Sequence, residues 1–189
     1  MNKKRLLFIT IILIFCIFSL SISVAFVIKE TTSNNIITFG DVKMELYVTT
    51  IKDDKEVKVV DGDNLNITYN SVINRNIIIT NIGNHPIFVR VSFDLKGKDK
   101  NDKTINLDSL INIIQNDNDW IYKDGWYYYK EELNSNFETQ KLLIDFEFDI
   151  DKITNKYPGS TFTLDINAEA IQSENNEEYV LDVVGWPTK

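Results

Sequence analysis

The chain has 189 residues, a net charge of −8, one histidine and one cysteine, and these totals exclude several classes of function. An acidic chain repels nucleic acid phosphates and anionic lipid headgroups, so we expect no nucleic acid partner and no binding to an anionic membrane surface. The single cysteine, Cys16, lies in an apolar N-terminal run, so the remainder of the chain has no thiol for disulfides, thiolate metal sites or nucleophilic catalysis.

The N-terminus has the pattern of an export signal. Basic residues 3–5 precede an apolar run over residues 6–28. This arrangement predicts a domain that is secreted or displayed at the cell surface, and small residues at positions 23 and 25 predict cleavage by a signal peptidase after Ala25. The run is also long enough to span a bilayer as an uncleaved anchor helix with the domain outside. We therefore interpret residues 1–28 as a signal peptide or a signal anchor, and only residues 6–28 as membrane-contacting.

The next segments alternate between polar stretches and β-rich runs. Residues 29–35 are polar and predict flexibility, and residues 36–51 form a long β-branched run. Further β-rich runs over residues 75–81 and 87–95 are separated by the turn residues Gly, Asn, His and Pro at 83–86. Turn chemistry between two such runs predicts a β-hairpin.

The later part of the chain contains the clearest strand patterns. Apolar residues recur at every second position over residues 142–150 and 162–170, as they do over 89–95. Sheets with one apolar face need a second layer, so residues 41–175 are predicted to form an all-β antiparallel sandwich. A helix is predicted only at residues 107–115, and residues 176–189 are left as a C-terminal tail.

Catalytic residues are scarce. A Ser–His–Asp arrangement would have to use His85, which sits in the turn before Pro86, and a His-Glu-x-x-His zinc site needs two histidines. Carboxylate pairs are the remaining option, but the acidic residues lie mostly on regular strand faces that we expect to be solvated. We therefore expect no enzyme and no cofactor.

Two short acidic clusters are weak candidates for calcium. Asp61 and Asp63 form one, and Asp117 and Asp119 form the other. Calcium prefers six to eight oxygen ligands, but neither cluster matches an EF-hand loop. The alternative interpretation is that both are ordinary turns rich in aspartate and asparagine.

An aromatic block occupies residues 120–129. Asp124-Gly125 is a strong two-residue hairpin signal, so the segments on either side should pair. Trp126 and Tyr128 then share one face and Tyr127 and Tyr129 the other. Aromatics on both faces predict either structural packing or a surface that binds a glycan or a protein. The residues assigned to this candidate binding surface are Trp120, Trp126, Tyr127 and Tyr129.

Several segments together resemble the TasA/camelysin family. Residues 79–83 (ITNIG) and 89–91 (VRV) are similar to its ITNxG…VRV pattern. Residues 124–129 (DGWYYY), followed by Leu133 and Thr139, are similar to a DGYYYY…L…T stretch, and residues 168–172 (AEAIQ) look like the closing strand. The resemblance implies a jelly-roll-like sandwich, export through a SipW-type signal peptidase and fibres in the biofilm matrix of Gram-positive bacteria.

The resemblance also implies how such fibres grow. In donor-strand exchange, the N-terminal segment of one subunit completes the sheet of its neighbour. By analogy, residues 26–39 contain the donor, with Ile36, Ile37 and Phe39 as anchors, and residues 29–40 are either flexible or part of that strand. The expected partners are further copies of the chain and a cell-wall or matrix component. The alternative is a membrane-anchored monomeric module that binds a glycan or a protein.

Overall fold

The computed structural model describes residues 26–32, 42–59, 64–67, 72–115, 118–157 and 159–186. Within these ranges the chain forms twelve strands and one short helix. The strands are β1 (Phe26–Thr32), β2 (Met44–Lys52), β3 (Lys55–Lys58), β4 (Asn64–Ile67), β5 (Val72–Asn81), β6 (Ile87–Lys98), β7 (Thr104–Ile105), β8 (Ile111–Gln115), β9 (Trp120–Lys123), β10 (Trp126–Tyr129), β11 (Leu142–Phe148) and β12 (Thr161–Gln172), and the helix is α1 (Ile150–Lys156).

The described strands form two sheets. The seven-stranded sheet has the order β4-β1-β12-β6-β10-β9, with β7 also paired to β6, and the five-stranded sheet has the order β3-β2-β5-β11-β8. All described pairs are antiparallel except β1 with β12, which is parallel. The prediction of an all-β fold is therefore confirmed.

A single core joins the two sheets. Along β11 and β12 the apolar residues that alternation predicted to face the core are buried. They include Phe146, Phe148, Phe162, Leu164 and Ile166. Phe93 of the larger sheet meets Phe146 of the smaller sheet edge to face at 5.4 Å, and Phe148 meets Phe162 at 5.7 Å. Since each such side chain stabilises the fold by about 1.5–3 kcal/mol when fully buried, this layer is a main source of the stability of the fold.

The predicted hairpin between residues 75–81 and 87–95 is wrong. The turn connects β5 to β6, and these strands lie in different sheets, β5 between β2 and β11 and β6 between β12 and β10. The Asn81 side chain fixes this corner: it accepts from Gly83 N at 2.9 Å and donates to the carbonyls of His85 and Leu133 at 2.8 and 2.9 Å. The turn residues were identified correctly, but they carry the chain from one sheet to the other.

The helix predicted at residues 107–115 is also wrong. Leu107 accepts from Leu110 N and Ile111 N in a single turn, after which Ile111–Gln115 becomes β8 and pairs with β11. The described helix instead begins at Ile150, which the alternation had assigned to a strand. Asp149 caps α1 by accepting from Lys152 N at 3.0 Å, and Ile150 and Ile153 are buried beneath it.

The N-terminal boundary differs from the predicted one. Phe26–Thr32 forms β1, which includes the last three residues of the predicted signal segment and the first residues of the predicted flexible segment. Residues 1–25 and 33–41 lie outside the described residues. Among the described residues, no helix has the length and apolar character needed to cross a membrane.

The predicted tail packs against the domain. Residues 173–186, named here the C-terminal segment, cover the outer face of the seven-stranded sheet, where Val180 and Val183 are buried with Phe88 and Tyr128. The segment starts with a bond from Ser173 N to Pro86 O at 3.0 Å. This third layer buries side chains of β6 and β12 that alternation predicted to face water.

Candidate functional site

The edge of β12 that holds the N-terminal strand is the candidate site. Six residues of β1 pair in parallel with β12, from Val27 opposite Thr161 to Thr32 opposite Ile166. On its other side β1 pairs with β4, from Phe26 opposite Ile67 to Lys29 opposite Asn64. The strand that begins the described chain is therefore inserted between two strands that follow it in sequence.

The backbone that β1 covers belongs to a central core strand. On its opposite side β12 pairs with β6 over its whole length, from Thr161 opposite Lys98 to Gln172 opposite Ile87. The half of β12 that faces β1 carries Phe162, Leu164 and Ile166, all three buried in the core. Removal of β1 would turn this part of β12 into a sheet edge beside the core, and an open edge of this kind is a template for another strand.

The connection of β1 to the domain favours an exchangeable strand. A strand of a hairpin is tied to its partner by a short turn, but β1 pairs with β12, the last of the described strands, and with β4. Along the chain β1 is followed by residues 33–41 and then by β2, which lies in the other sheet. The predicted anchors Ile36, Ile37 and Phe39 and the predicted cleavage position Ala25 lie outside the described residues.

The aromatic hairpin forms as predicted, but most of its side chains do not form a surface. β9 and β10 pair around Asp124 and Gly125, whose φ angles of 51° and 85° are those that a tight hairpin turn requires. Trp120, Tyr127 and Tyr129 are buried in the main core. The predicted binding surface is therefore wrong for these three residues, and Trp126 is half-buried on the opposite face.

Trp126 belongs to a buried ion-pair site that the sequence analysis missed. Arg90 of β6 lies directly opposite Glu169 of β12, and its Nε and Nη2 donate to Oε2 of Glu169 at 2.8 and 2.6 Å. The guanidinium lies over the rings of Trp126 at 4.0 Å and Trp186 at 4.5 Å. Its Nη1 also donates to the Tyr128 hydroxyl at 3.2 Å, so the arginine is bound on every side by groups of this chain.

The function of this ion pair is structural. The Arg90 and Glu169 side chains are only 11% and 6% exposed because the C-terminal segment covers them. A planar guanidinium matches stacked rings and a carboxylate at the same time, which explains arginine at this position. The sequence alone shows only that Arg90 and Glu169 each stand between two apolar residues. No local pattern indicates that the C-terminal segment forms a third layer above them.

The acidic calcium candidates are mostly beyond the described residues. Asp61, Asp63 and Asp117 lie outside them, and Asp119 is exposed in the loop before β9. Within the described part of the chain, no three histidine, cysteine or acidic side chains are arranged to hold a metal ion.

An open depression of about 550 Å³ lies beside the start of β8 and α1, and acidic residues line much of it. Its carboxylates include Asp108, Glu147, Asp149 and Asp151. Asp149 pairs with Lys152 at 2.7 Å, and that hydrogen bond, together with the backbone N–H of Lys152, lowers the pKa of Asp149 below its usual value. Its role is therefore to cap the helix, as found for other aspartates at helix starts.

His85 lies in the turn between the sheets, as the sequence indicates. Its Nδ1 is 3.1 Å from Oε2 of Glu174, which joins the corner to the start of the C-terminal segment. The two side chains are 41% and 47% exposed, so the pair is a surface contact that links the turn to the C-terminal segment.

Comparison of the chain with protein-family models, with curated proteins and with solved structures found no match. The fold itself defines the chain as an all-β domain of two packed sheets. The resemblance to the TasA/camelysin family stays a prediction.

Proposed function

We propose that this chain is an exported, non-catalytic structural protein of the cell surface or extracellular matrix that assembles into fibres by exchange of its N-terminal strand. The observation that carries the proposal is the position of β1, which pairs in parallel with the core strand β12. We call the position of β1 between β12 and β4 its seat. A second copy of residues 26–32 can form the same main-chain pairing with β12 and β4.

Exchange conserves the interactions that hold the strand. A β1 from a neighbouring copy makes the same main-chain bonds to β12 and β4 as the chain's own β1 makes. Strand addition to a sheet edge is an established mode of recognition in which main-chain bonds give the affinity. Because each copy gives its strand to one neighbour and receives one from another, the contact is head-to-tail and the product is an open polymer.

Processing determines whether the strand is available. Cleavage after Ala25 makes Phe26 the first residue of the mature chain, and Phe26 is also the first residue of β1. A strand at a free N-terminus can leave its seat and enter another copy, whereas an uncleaved anchor helix at residues 6–28 would hold it at the membrane. The proposal therefore includes removal of the leader, by a SipW-type peptidase if the family resemblance holds, and a jelly-roll-like arrangement of the sheets.

The alternative, an anchored module that binds a glycan or protein through the aromatic hairpin, has less support. Three of the four aromatic residues proposed for its surface are core residues. The fourth, Trp126, is stacked on Arg90. Strand exchange instead uses a part of the fold that is accessible once β1 leaves.

Negative-stain electron microscopy tests the proposal. Purified chains that begin at Phe26 and chains that begin at Asp41 would be imaged at the same concentrations and at neutral and low pH. We expect filaments from the longer chain only, since the shorter one has no strand to donate. Separate, uniform particles from the longer chain under all conditions would contradict the proposal.

A further inference from the structure

The β8 edge of the five-stranded sheet is open among the described strands. β8 (Ile111–Gln115) pairs there only with β11, and its sequence INIIQ contains no charged residue, proline or glycine. At the opposite edge of the same sheet, three of the four residues of β3 are charged. Charged residues on an edge strand are a usual protection against pairing with another chain, so β8 is the edge of this sheet that can accept one.

The main chain of β8 has hydrogen-bonding groups on the side that faces away from β11. Leu110 O accepts from Asp149 N at 2.8 Å on the β11 side. On the other side, Ile111 N donates to Leu107 O at 3.2 Å. Since successive residues of an antiparallel strand alternate between the two sides, the N–H and C=O of Ile113 point away from β11. An added strand would therefore form its central pair of main-chain bonds with Ile113.

The Ile113 side chain provides an apolar contact at the same place. It lies opposite Phe146 in the register of β8 with β11, and it is 44% exposed although Phe146 is buried in the core. In strand addition, main-chain bonds give the affinity and contacts of alternate side chains give the specificity. The β8 edge supplies both kinds of contact at one residue.

Acidic side chains surround the start of this edge. The depression beside β8 and α1 is lined by four carboxylates, those of Asp108, Glu147, Asp149 and Asp151, and by one ammonium group, that of Lys152. Asp149 binds this ammonium group at 2.7 Å, so the lining as a whole is net negative. The chain's net charge of −8 adds to this potential. Charge therefore disfavours a second copy at this edge and favours a cationic partner.

We propose that the β8 edge binds an extended basic segment of another protein, which joins the five-stranded sheet as an additional strand. The added strand runs antiparallel to β8, as every described pair in this sheet does. A β-branched apolar residue at its centre covers Ile113. Antiparallel pairing places the C-terminal end of the segment beside the start of β8, so its lysine or arginine side chains lie there, against Asp108 and Glu147.

This inference does not rest on the exchange of β1. β1 belongs to the seven-stranded sheet and β8 to the five-stranded sheet, so the two strands use different edges. A chain that forms no fibres can still bind the basic segment, and a chain that forms fibres can fail to bind it. The two proposals can therefore fail separately.

Surface plasmon resonance on isolated copies tests the inference apart from fibre formation. The chain beginning at Phe26, which keeps every described residue, is tethered through its C-terminus, because the C-terminal segment covers the other sheet. The density is kept low so that tethered copies cannot exchange strands. The probe is an amidated synthetic peptide of alternating valine and threonine residues that ends in two lysines.

Two matched peptides separate charge from strand pairing. One ends in two glutamates, and the other keeps the lysines but carries N-methyl groups on the amides that would face β8. We expect the lysine peptide to bind at least about tenfold more tightly than either matched peptide. Its binding should weaken as ionic strength rises, because salt screens the attraction between its lysines and the carboxylates.

Two double variants of the chain locate the binding. Asp108→Asn with Glu147→Gln removes two carboxylates beside β8, and Asp53→Asn with Asp54→Asn removes two from the turn between β2 and β3. Asparagine tolerates the positive φ of 51° and 59° at Asp53 and Asp54, so the control keeps that turn. Both variants change the net charge equally. The dissociation constant of the lysine peptide should rise about fivefold or more for the first and stay within about twofold for the control.

Each of the following results would overturn the inference. Equally tight binding of the glutamate peptide would mean that the edge accepts any extended strand, β8 of another copy included. Equally tight binding of the N-methylated peptide would mean that charge holds the peptide without strand pairing. Equal losses in the two double variants would place the binding elsewhere on the chain, and no binding of the lysine peptide at about millimolar concentration would leave the edge without this partner.

Discussion

Replacement of Arg90 by methionine should strongly destabilise the domain. Arg90 and Glu169 form a two-bond ion pair beneath the C-terminal segment, with side chains only 11% and 6% exposed. Methionine fills much of the volume of the arginine stem, so the main change is loss of the cation. The Glu169 carboxylate is then left buried without its partner, and the contacts of the guanidinium with Trp126 and Trp186 are lost.

The magnitude follows from the burial of the pair. Removal of one member of a buried ion pair costs about 3–5 kcal/mol, because the remaining charge is desolvated without compensation. Replacement of both members by apolar residues avoids that penalty. The double variant Arg90→Met with Glu169→Leu should therefore recover most of the loss, to within about 1–2 kcal/mol of the wild type.

Urea unfolding followed by tryptophan fluorescence measures these free energies, since Trp126 and Trp186 contact the pair directly. Lys96→Met is a matched control on the same two strands. Lys96 pairs with Asp165 at 3.0 Å, but its side chain is 58% exposed and the pair is screened by solvent, so its loss should cost far less than the loss of Arg90. If Arg90→Met costs no more than Lys96→Met, or if the double variant is as unstable as the single one, the assignment of a buried structural pair is refuted.

Two further predictions concern other parts of the fold. Hydrogen bonds from Lys141, and then from Thr49 and Asn76, lower the pKa of Glu56 from 4.5 to about 2. Its ionised form thus stabilises the fold fully above about pH 4.5, and this contribution disappears as the pH falls toward 2. Urea unfolding at stepped pH should show that Glu56→Gln reduces the loss of stability between pH 4.5 and about 2. The reduction should be small because the pair of Glu56 with Lys141 is partly solvated. An unchanged dependence of stability on pH would contradict the assignment. Gly97→Ala should reduce the free energy of unfolding by about 1–3 kcal/mol, because the new Cβ would lie 2.8 Å from Leu107 Cδ2 and 3.3 Å from Phe162. Adding Leu107→Ala to the same chain should relieve part of that cost. An unchanged stability of Gly97→Ala would contradict this reasoning and show that the loop around Leu107 moves away.

Features fixed by neighbouring residues were predictable from the sequence. The β9–β10 turn was predicted because Asp124 and Gly125 are adjacent residues that accept positive φ. The strict alternation in β11 and β12 identified both strands and their core faces, since period-two burial needs no knowledge of the partner strand.

Features that depend on distant parts of the chain were not predictable. The same turn residues at 83–86 are compatible with a hairpin or with a corner between sheets. The corner forms because β5 pairs with β11 in one sheet and β6 pairs with β12 in the other. The outer face of β6 was predicted to be solvated because alternation cannot show that residues 173–186 return to cover Arg90.

For the candidate site, the family resemblance implied a donor segment at residues 26–39, and Phe26–Thr32 of that segment forms β1; its donor role stays a prediction. Local patterns did not indicate its parallel pairing with β12, because the two strands are at opposite ends of the described chain. The roles proposed for Ala25, Ile36, Ile37 and Phe39, and for Asp61, Asp63 and Asp117 in calcium binding, stay predictions.

A reversible disulfide between β1 and β12 tests strand exchange most directly. Lys29 and Thr163 are opposite each other in the parallel register, and adjacent strands lie about 4.8 Å apart, within disulfide range. A chain beginning at Phe26 with Lys29→Cys and Thr163→Cys would have no other thiol. Oxidation of the dilute monomer should close the bond within one chain and abolish fibre formation until a reductant is added.

Oxidation of fibres that have already assembled should instead join successive copies into a covalent ladder on a non-reducing gel. This ladder is the result that our account predicts, because the β1 held by each copy then belongs to its neighbour. Monomers that are closed by the disulfide and still form fibres, or assembled fibres that dissolve into uncrosslinked single chains after oxidation, would contradict it.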